Sequence, residues 1–286
     1  MRLSIITDEI SQDFLHALRV CRELGVNTVE LRRVDEREIV FHDAASLARL
    51  RSLLRAQGLR VCCIASPFLK CPLWRETTLT DHSEEQKREW DILQRSFEVA
   101  ALFEAPLVRT FSFLRVPDPQ AARPLILEVL TEATRRTAAA GLKLVLENEH
   151  ACNIATGEEA GWLLHHLPTD AFGLTWDPGN ETYIGSEPFP SGYQHVRGRI
   201  FHVHVKDAIF PRGAPGQRRF VKMGTGSIDY AGQFHALAAD GYDGALSLET
   251  HYQHPTGGRE QATRESFAVL RQMLQEAGVT LDDYGR

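Results

Sequence analysis

Leu142-Lys-Leu-Val-Leu-Glu147-Asn148 is a short apolar run that stops on a carboxylate and an amide. Three later runs stop in the same way. Phe172-Gly-Leu-Thr-Trp-Asp177 precedes Pro-Gly-Asn180, Ile200-Phe-His202-Val-His204-Val precedes Lys206-Asp207, and Ala245-Leu-Ser-Leu-Glu249 precedes Thr-His251. Short β-branched and leucine-rich runs between turn signals read as buried strands. Towards the N-terminus the same rhythm places strands at Leu3–Ile6, Thr28–Leu31, Leu59–Ala65 and Leu107–Phe111. Helical patterns lie between them. They run from Ser11, a candidate N-cap, to Leu24 before Gly25, over Asp43–Gln57 before Gly58, over Ser83–Phe103, and over Gln120–Ala140 before Gly141. Thr156 with Glu159 spells a capping box for a helix to His166, and further patterns cover Tyr230–Ala239 and Arg259–Ala277. Strands alternating with helices predict a parallel sheet, and eight such units predict an α/β fold of the (β/α)8 TIM-barrel type, one domain over 1–286. A doubly wound open sheet is the alternative, but it rarely needs eight regular units.

Composition narrows the function. The 286 residues are 43% hydrophobic and 24% charged, ordinary values for a soluble globular chain. A net charge of −6 speaks against a nucleic-acid partner, which calls for a basic face. No run nears the roughly 20 apolar residues that cross a bilayer. The N-terminus turns acidic at Asp8 before a signal-like apolar core develops, so a cytoplasmic protein without a membrane partner is expected. Cys21, Cys62, Cys63, Cys71 and Cys152 are odd in number and lack a Cys-x-x-Cys pair, which favours reduced, packed thiols over disulfides. A homo-oligomer is compatible with this composition.

The strand ends carry the chemistry. Barrel enzymes place their reacting groups at the C-terminal ends of strands. Four successive strands would there supply Glu147, Asp177, His204 and Glu249. Three carboxylates in a partly dry pocket repel one another, and one divalent cation removes that cost. Carboxylate with imidazole suits Mn, Mg, Co or Zn, and no ligating cysteine biases the set towards soft ions. His202 shares a face with His204 because strand side chains alternate, and lies one layer deeper. It reads either as a hydrogen-bonded core histidine or as part of the site. Lys206 continues that face and could hold a substrate oxygen, or pair with Asp207 or Glu249. Asn148 and Asn180 flank ligands and are further substrate-binding candidates. The irregular stretch Lys206–Ser227, with Lys206, Arg212, Arg218, Arg219 and Lys222, is either a phosphate grip, a solvated lid or an oligomer contact. Phe68, Trp74, Phe111 and Trp176 either shape the pocket or pack the core.

Val-Glu30-Leu-Arg, Leu-Glu147-Asn, Trp-Asp177-Pro-Gly-Asn180, His-Val-His204-Val-Lys-Asp, Gly224-Thr-Gly226 and Leu-Glu249, in this order, resemble the xylose isomerase-like TIM-barrel superfamily, in its sugar phosphate isomerase/epimerase group. The resemblance covers nearly the whole chain. It implies a metal held by Glu147, Asp177, His204 and Glu249, with both glutamates serving as acid and base, and it adds Glu30 to the substrate-binding candidates. The implied reaction is isomerisation or epimerisation of a sugar, sugar phosphate or keto-polyol through a metal-stabilised cis-enediolate. Dehydration of an inosose or 3-dehydroshikimate-type ring shares its first step. A metal-stabilised carbohydrate binder without turnover is the alternative of another class, and two matched glutamates argue against it. The superfamily's apurinic-site endonucleases carry a histidine three residues after the strand-six aspartate. Asn180 stands there, which turns the reading away from a multi-metal nuclease.

Overall fold

Eight parallel strands close on themselves in the computed structural model, which describes residues 1–74, 83–167, 169–211 and 213–282. They are β1 (Arg2–Ile6), β2 (Thr28–Leu31), β3 (Arg60–Ile64), β4 (Leu107–Thr110), β5 (Lys143–Glu147), β6 (Phe172–Trp176), β7 (Ile200–Val205) and β8 (Ala245–Leu248). Each pairs with its neighbours in chain order, and β8 pairs with β1, so the ring leaves no sheet edge open. The structure is the (β/α)8 TIM barrel that the strand count predicts.

Helices cover the outside: α1 (Phe14–Glu23), α2 (Ala44–Ala56), α3 (Glu84–Phe103), α4 (Pro119–Ala139), α5 (Gly157–His166), α6 (Pro178–Tyr183), α7 (Tyr193–Val196), α8 (Tyr230–Ala239) and α9 (Gly258–Glu276). In α1, Phe14, Ala17, Leu18 and Cys21 recur at helical spacing and are buried against the strands. This helix starts later than Ser11. Asp13 is its cap, accepting from His16 N, while the Ser11 hydroxyl accepts from Asp13 N in the turn before it. The Thr156–Glu159 capping box is present in full. Among the described residues no helix is long and apolar enough to cross a membrane. All five cysteines are free, and burial pushes the Cys21, Cys62 and Cys152 thiols up to about 12.

The large core lies between strands and helices, where Phe68, Trp74 and Trp176 pack. Inside the ring the apolar filling is small: Cys63, Leu107 and Val145 form a separate cluster. The rest of the interior includes buried Glu30, Arg109, Glu147, Asp177, His202, His204 and Glu249. The expectation of an irregular Lys206–Ser227 needs correction. Asp207–Ile209 and Arg219–Val221 pair as an antiparallel hairpin, because Asp207 continues the extended chain of β7 and its Oδ2 accepts from Gly224 N and Gly226 N. Within that stretch Arg212 lies outside the described residues.

Glu181 joins two loops behind the barrel mouth. Its carboxylate accepts from Gly157 N at 2.9 Å and from the Ser186 hydroxyl at 2.8 Å. Burial pushes its pKa up to about 7 from an ordinary 4.5. A folded-state value above the unfolded one stabilises the fold fully below the unfolded value, and that contribution is lost as pH rises through about 7. Relative to Glu181→Gln, the protein is therefore expected to lose about 2 kcal/mol between about pH 5 and about pH 8. Urea unfolding at several pH values checks this, and parallel stability curves for the two proteins would contradict it.

Candidate metal centre

β5, β6, β7 and β8 are adjacent in the ring, so their C-terminal ends bring Glu147, Asp177, His204 and Glu249 together. One donor atom of each lies within 4.8 Å of the others. All four side chains are buried, with at most 2% of any residue's surface exposed. The local sequence aims them. Asp177 caps α6: its Oδ1 accepts from Asn180 N at 2.9 Å and Pro178 opens the first turn, which leaves Oδ2 turned to the centre. Asn148 holds the same peptide by two bonds, donating to Asp177 O and accepting from Asp177 N, both at 2.8 Å. Asn180 Nδ2 donates to Glu147 Oε1 at 3.1 Å, and its Oδ1 faces His150 Nδ1.

His204 sits at the middle. Its Nε2 lies 3.1 Å from both oxygens of Glu30, and His202 Nε2 lies 2.8 Å from Glu30 Oε2. Glu30 and His202 are fully buried beside His204. The structure thus places these two substrate-binding candidates as a support for His204, because strand alternation puts them a layer below the mouth. Asn148 and Asn180 are likewise fully buried and engaged with Asp177 and Glu147. The other imidazole nitrogen, His204 Nδ1, faces Glu147 Oε1 at 3.5 Å, Asp177 Oδ2 at 3.8 Å and Glu249 Oε2 at 3.4 Å. It has no hydrogen-bond partner.

Among the described residues three donor groups could hold a cation, and their partners separate them. In Glu30, His202 and His204 the members hydrogen-bond one another. In Glu9, Glu249 and His251 the two carboxylates are already bridged by Arg32, at 2.6 Å and 2.5 Å. In Glu147, Asp177, His204 and Glu249 a His204 nitrogen without a hydrogen-bond partner faces three carboxylate oxygens at 3.4 to 3.8 Å. Burial works to lower the His204 imidazole, but Glu30 and Glu147 hold it well above its usual range, so positive charge is favoured at this point among the carboxylates. A divalent metal fits this set of donors.

Three cations that sequence reasoning left unassigned or open hold the acids in place. Arg109 NH1 donates to Glu147 Oε2 at 3.0 Å, both groups being buried. Arg32 binds Asp8, Glu9 and Glu249, and Lys206 Nζ reaches Asp177 and Glu249. Burial works to raise the Glu147 and Glu249 carboxyls, but Arg109 and His204 lower the first, and Lys206 and His251 hold the second well below the usual range. Burial pushes Asp177 up to about 6 against the pull of Lys206. A lone arginine in the apolar strand Leu-Val-Arg109-Thr was the available signal for Arg109.

Phe220, on the hairpin after β7, covers the centre. Its ring stacks on Tyr183 at 4.7 Å and meets His251 edge-on at 5.1 Å, with Lys206 Nζ at 5.3 Å. Beside it a cavity of about 430 Å³ opens between Arg32, Arg33, Glu9, His251 and Arg259. A larger cavity, about 690 Å³, lies away from the four ligands, among the strand starts at Arg2, Thr28, Arg60, Lys143 and Ala245. Of the basic loop residues, Arg218 stacks on Tyr183 and Lys222 faces Glu265. Phe111 lies beneath Lys70 and Arg109.

The chain belongs to the family described as Xylose isomerase-like TIM barrel, whose sequence pattern matches residues 18–273. Over 121 residues, 38% of the chain, it is 30% identical to an inosose dehydratase of Clostridium botulinum (strain Alaska E43 / Type E3), and the match covers 40% of that protein's length. The fold is shared with the IOLI protein crystallised with a binding zinc atom (TM-score 0.78, 19% identity, 97% of this chain and 99% of that one). It is also shared with L-ribulose 3-epimerase (TM-score 0.73, 18% identity, 97% of this chain and 95% of that one).

Breaking the Arg109–Glu147 pair leaves a buried carboxylate uncompensated. In chelator-stripped protein, Arg109→Met should cost about 3–5 kcal/mol, and adding Glu147→Gln should recover part of it. Calorimetric melting of the unaltered protein, both single variants and the double variant measures this. A loss in the double variant equal to the sum of the two single losses would show that the pair carries no coupling.

Proposed function

We propose that the protein is a divalent-metal-dependent isomerase or epimerase of a sugar, sugar phosphate or keto-polyol, with Glu147 and Glu249 as acid and base. The observation that carries this reading is the His204 nitrogen turned without a partner towards Glu147, Asp177 and Glu249. A cation of the Mn, Mg, Co or Zn class, held by these four residues, would polarise a substrate carbonyl and ease ionisation of the neighbouring C–H. The rest is the work of the chain's own groups.

Arg109 and Arg32 each take one oxygen of a glutamate, which orients the other oxygen towards the centre. One glutamate removes the proton from carbon, and the other returns it, either to the adjacent carbon or to the opposite face. Lys206 can donate to a substrate oxygen as charge develops there. Phe220 and Tyr183 keep water from the enediolate. Asn148 and Asn180 hold Asp177 and Glu147 in register throughout. The unpaired cysteines and the net charge of −6 support a cytoplasmic setting and a small polyol substrate instead of nucleic acid. Dehydration of an inosose-type ring is the second reading, favoured by the partial likeness to inosose dehydratase. It differs after the shared proton abstraction, when a β-hydroxyl leaves.

Ketoses, sugar phosphates, inososes and 3-dehydroshikimate should be screened with metal-loaded protein in deuterated water. Deuterium entering at carbon is expected, and a growing ultraviolet enone band would identify dehydration. Glu249→Gln should lower turnover at least about 100-fold while metal binding weakens but stays measurable. Full activity in that variant would refute the assignment, and binding without exchange would indicate a carbohydrate-binding protein.

A further inference from the structure

Lys206 occupies an unusual place for a group whose only task is to meet substrate. Its side chain is 1% exposed, with Nζ 2.8 Å from Asp177 Oδ2 and 2.5 Å from Glu249 Oε2. These are the same two oxygens that face His204 Nδ1. The ammonium therefore stands on two of the three carboxylate oxygens that face the centre.

The surroundings confine it there. The Tyr230 hydroxyl accepts from Lys206 N at 3.1 Å and donates to Lys206 O at 2.7 Å, which pins the backbone. The aliphatic stem crosses the first turn of α6 at Gly179, where a Cβ would come within 2.5 Å of Lys206 Cγ. A larger residue at 179 would push the stem away, so this glycine is what allows the lysine to lie over the ligands. Above it, Phe220 limits movement towards solvent and offers the ammonium an aromatic face.

Two positive centres sharing the same oxygens in a buried pocket repel strongly. We propose that Lys206 is the resident counter-cation of this site. It holds Asp177 and Glu249 together when no metal is bound, and it gives up those contacts as the metal enters. The displaced ammonium then faces Phe220 and the space where a substrate oxygen would lie. Lys206 is in this sense a positioning residue that lowers metal affinity while protecting the empty donor set. The inference rests on the metal-site reading made above. A lysine that merely aligned the ligands would have the opposite effect on metal affinity, so the sign of the change separates the two roles.

The test uses the whole chain, stripped with a chelator and titrated with zinc alone in competition with a chromophoric chelator. Lys206→Met is expected to bind zinc at least about tenfold more tightly than the unaltered protein, with Lys206→Arg within about threefold of it. If stripped Lys206→Met does not fold, the variant is purified loaded and its zinc release to excess EDTA is timed. Release at least about tenfold slower supports the proposal. Equal or weaker zinc binding by Lys206→Met, or equally fast or faster release, overturns the resident role and leaves the metal site standing. Failure of both the unaltered protein and Lys206→Met to take up zinc or manganese would overturn the metal-site reading and this inference together.

Discussion

The imidazole of His204 is the constraint around which the rest of the interior is arranged. One nitrogen is tied to Glu30, and the other is left facing three carboxylate oxygens. The Glu30 bond fixes the orientation of the ring, so the other nitrogen faces the centre. His202 completes the support by bonding the same carboxylate. Without this lower layer the ring could rotate, and the four ligands would no longer converge on one point.

Concentrating negative charge inside a barrel is costly, and the fold meets that cost with cations drawn from other strands. Arg109 comes from β4, Arg32 follows β2 and Lys206 follows β7. Each binds one or more of the acids and leaves other oxygens free for the centre. Such pairs add little net stability, since desolvation consumes most of the attraction, but they fix geometry. The small apolar plug of Cys63, Leu107 and Val145 leaves most of the interior to polar groups. Stability is supplied by the larger core between strands and helices.

Much of this is legible in the sequence. The apolar runs ending at Glu147, Asp177, His204 and Glu249 mark the strands and the ends at which these four side chains converge. The capping box at Thr156 and the glycines after α1, α2 and α4 set boundaries by local backbone rules. The reading was weaker where a residue's task depends on a partner far along the chain. His202 reads either as a core histidine or as part of the site and Glu30 enters only through the resemblance, whereas their shared bond and the support they give His204 follow from the stagger of neighbouring strands. Arg109 and Arg32 gave only the faint signal of a charge in or beside an apolar strand. The hairpin after β7 was hidden in a stretch of glycine, proline and arginine that reads as irregular.

The sequence by itself determined the order of the eight barrel strands, their closure into a barrel and the four residues that stand at the ends of the last of them. Those properties follow from period, capping and strand-end chemistry, which are local. Tertiary structure alone decided which nitrogen of His204 is free, which acids already own a cation, and where Lys206 puts its charge. These depend on contacts between residues such as Glu30 and His204, 174 positions apart. No local pattern encodes such distances; strand stagger and the packing of the closed ring set them.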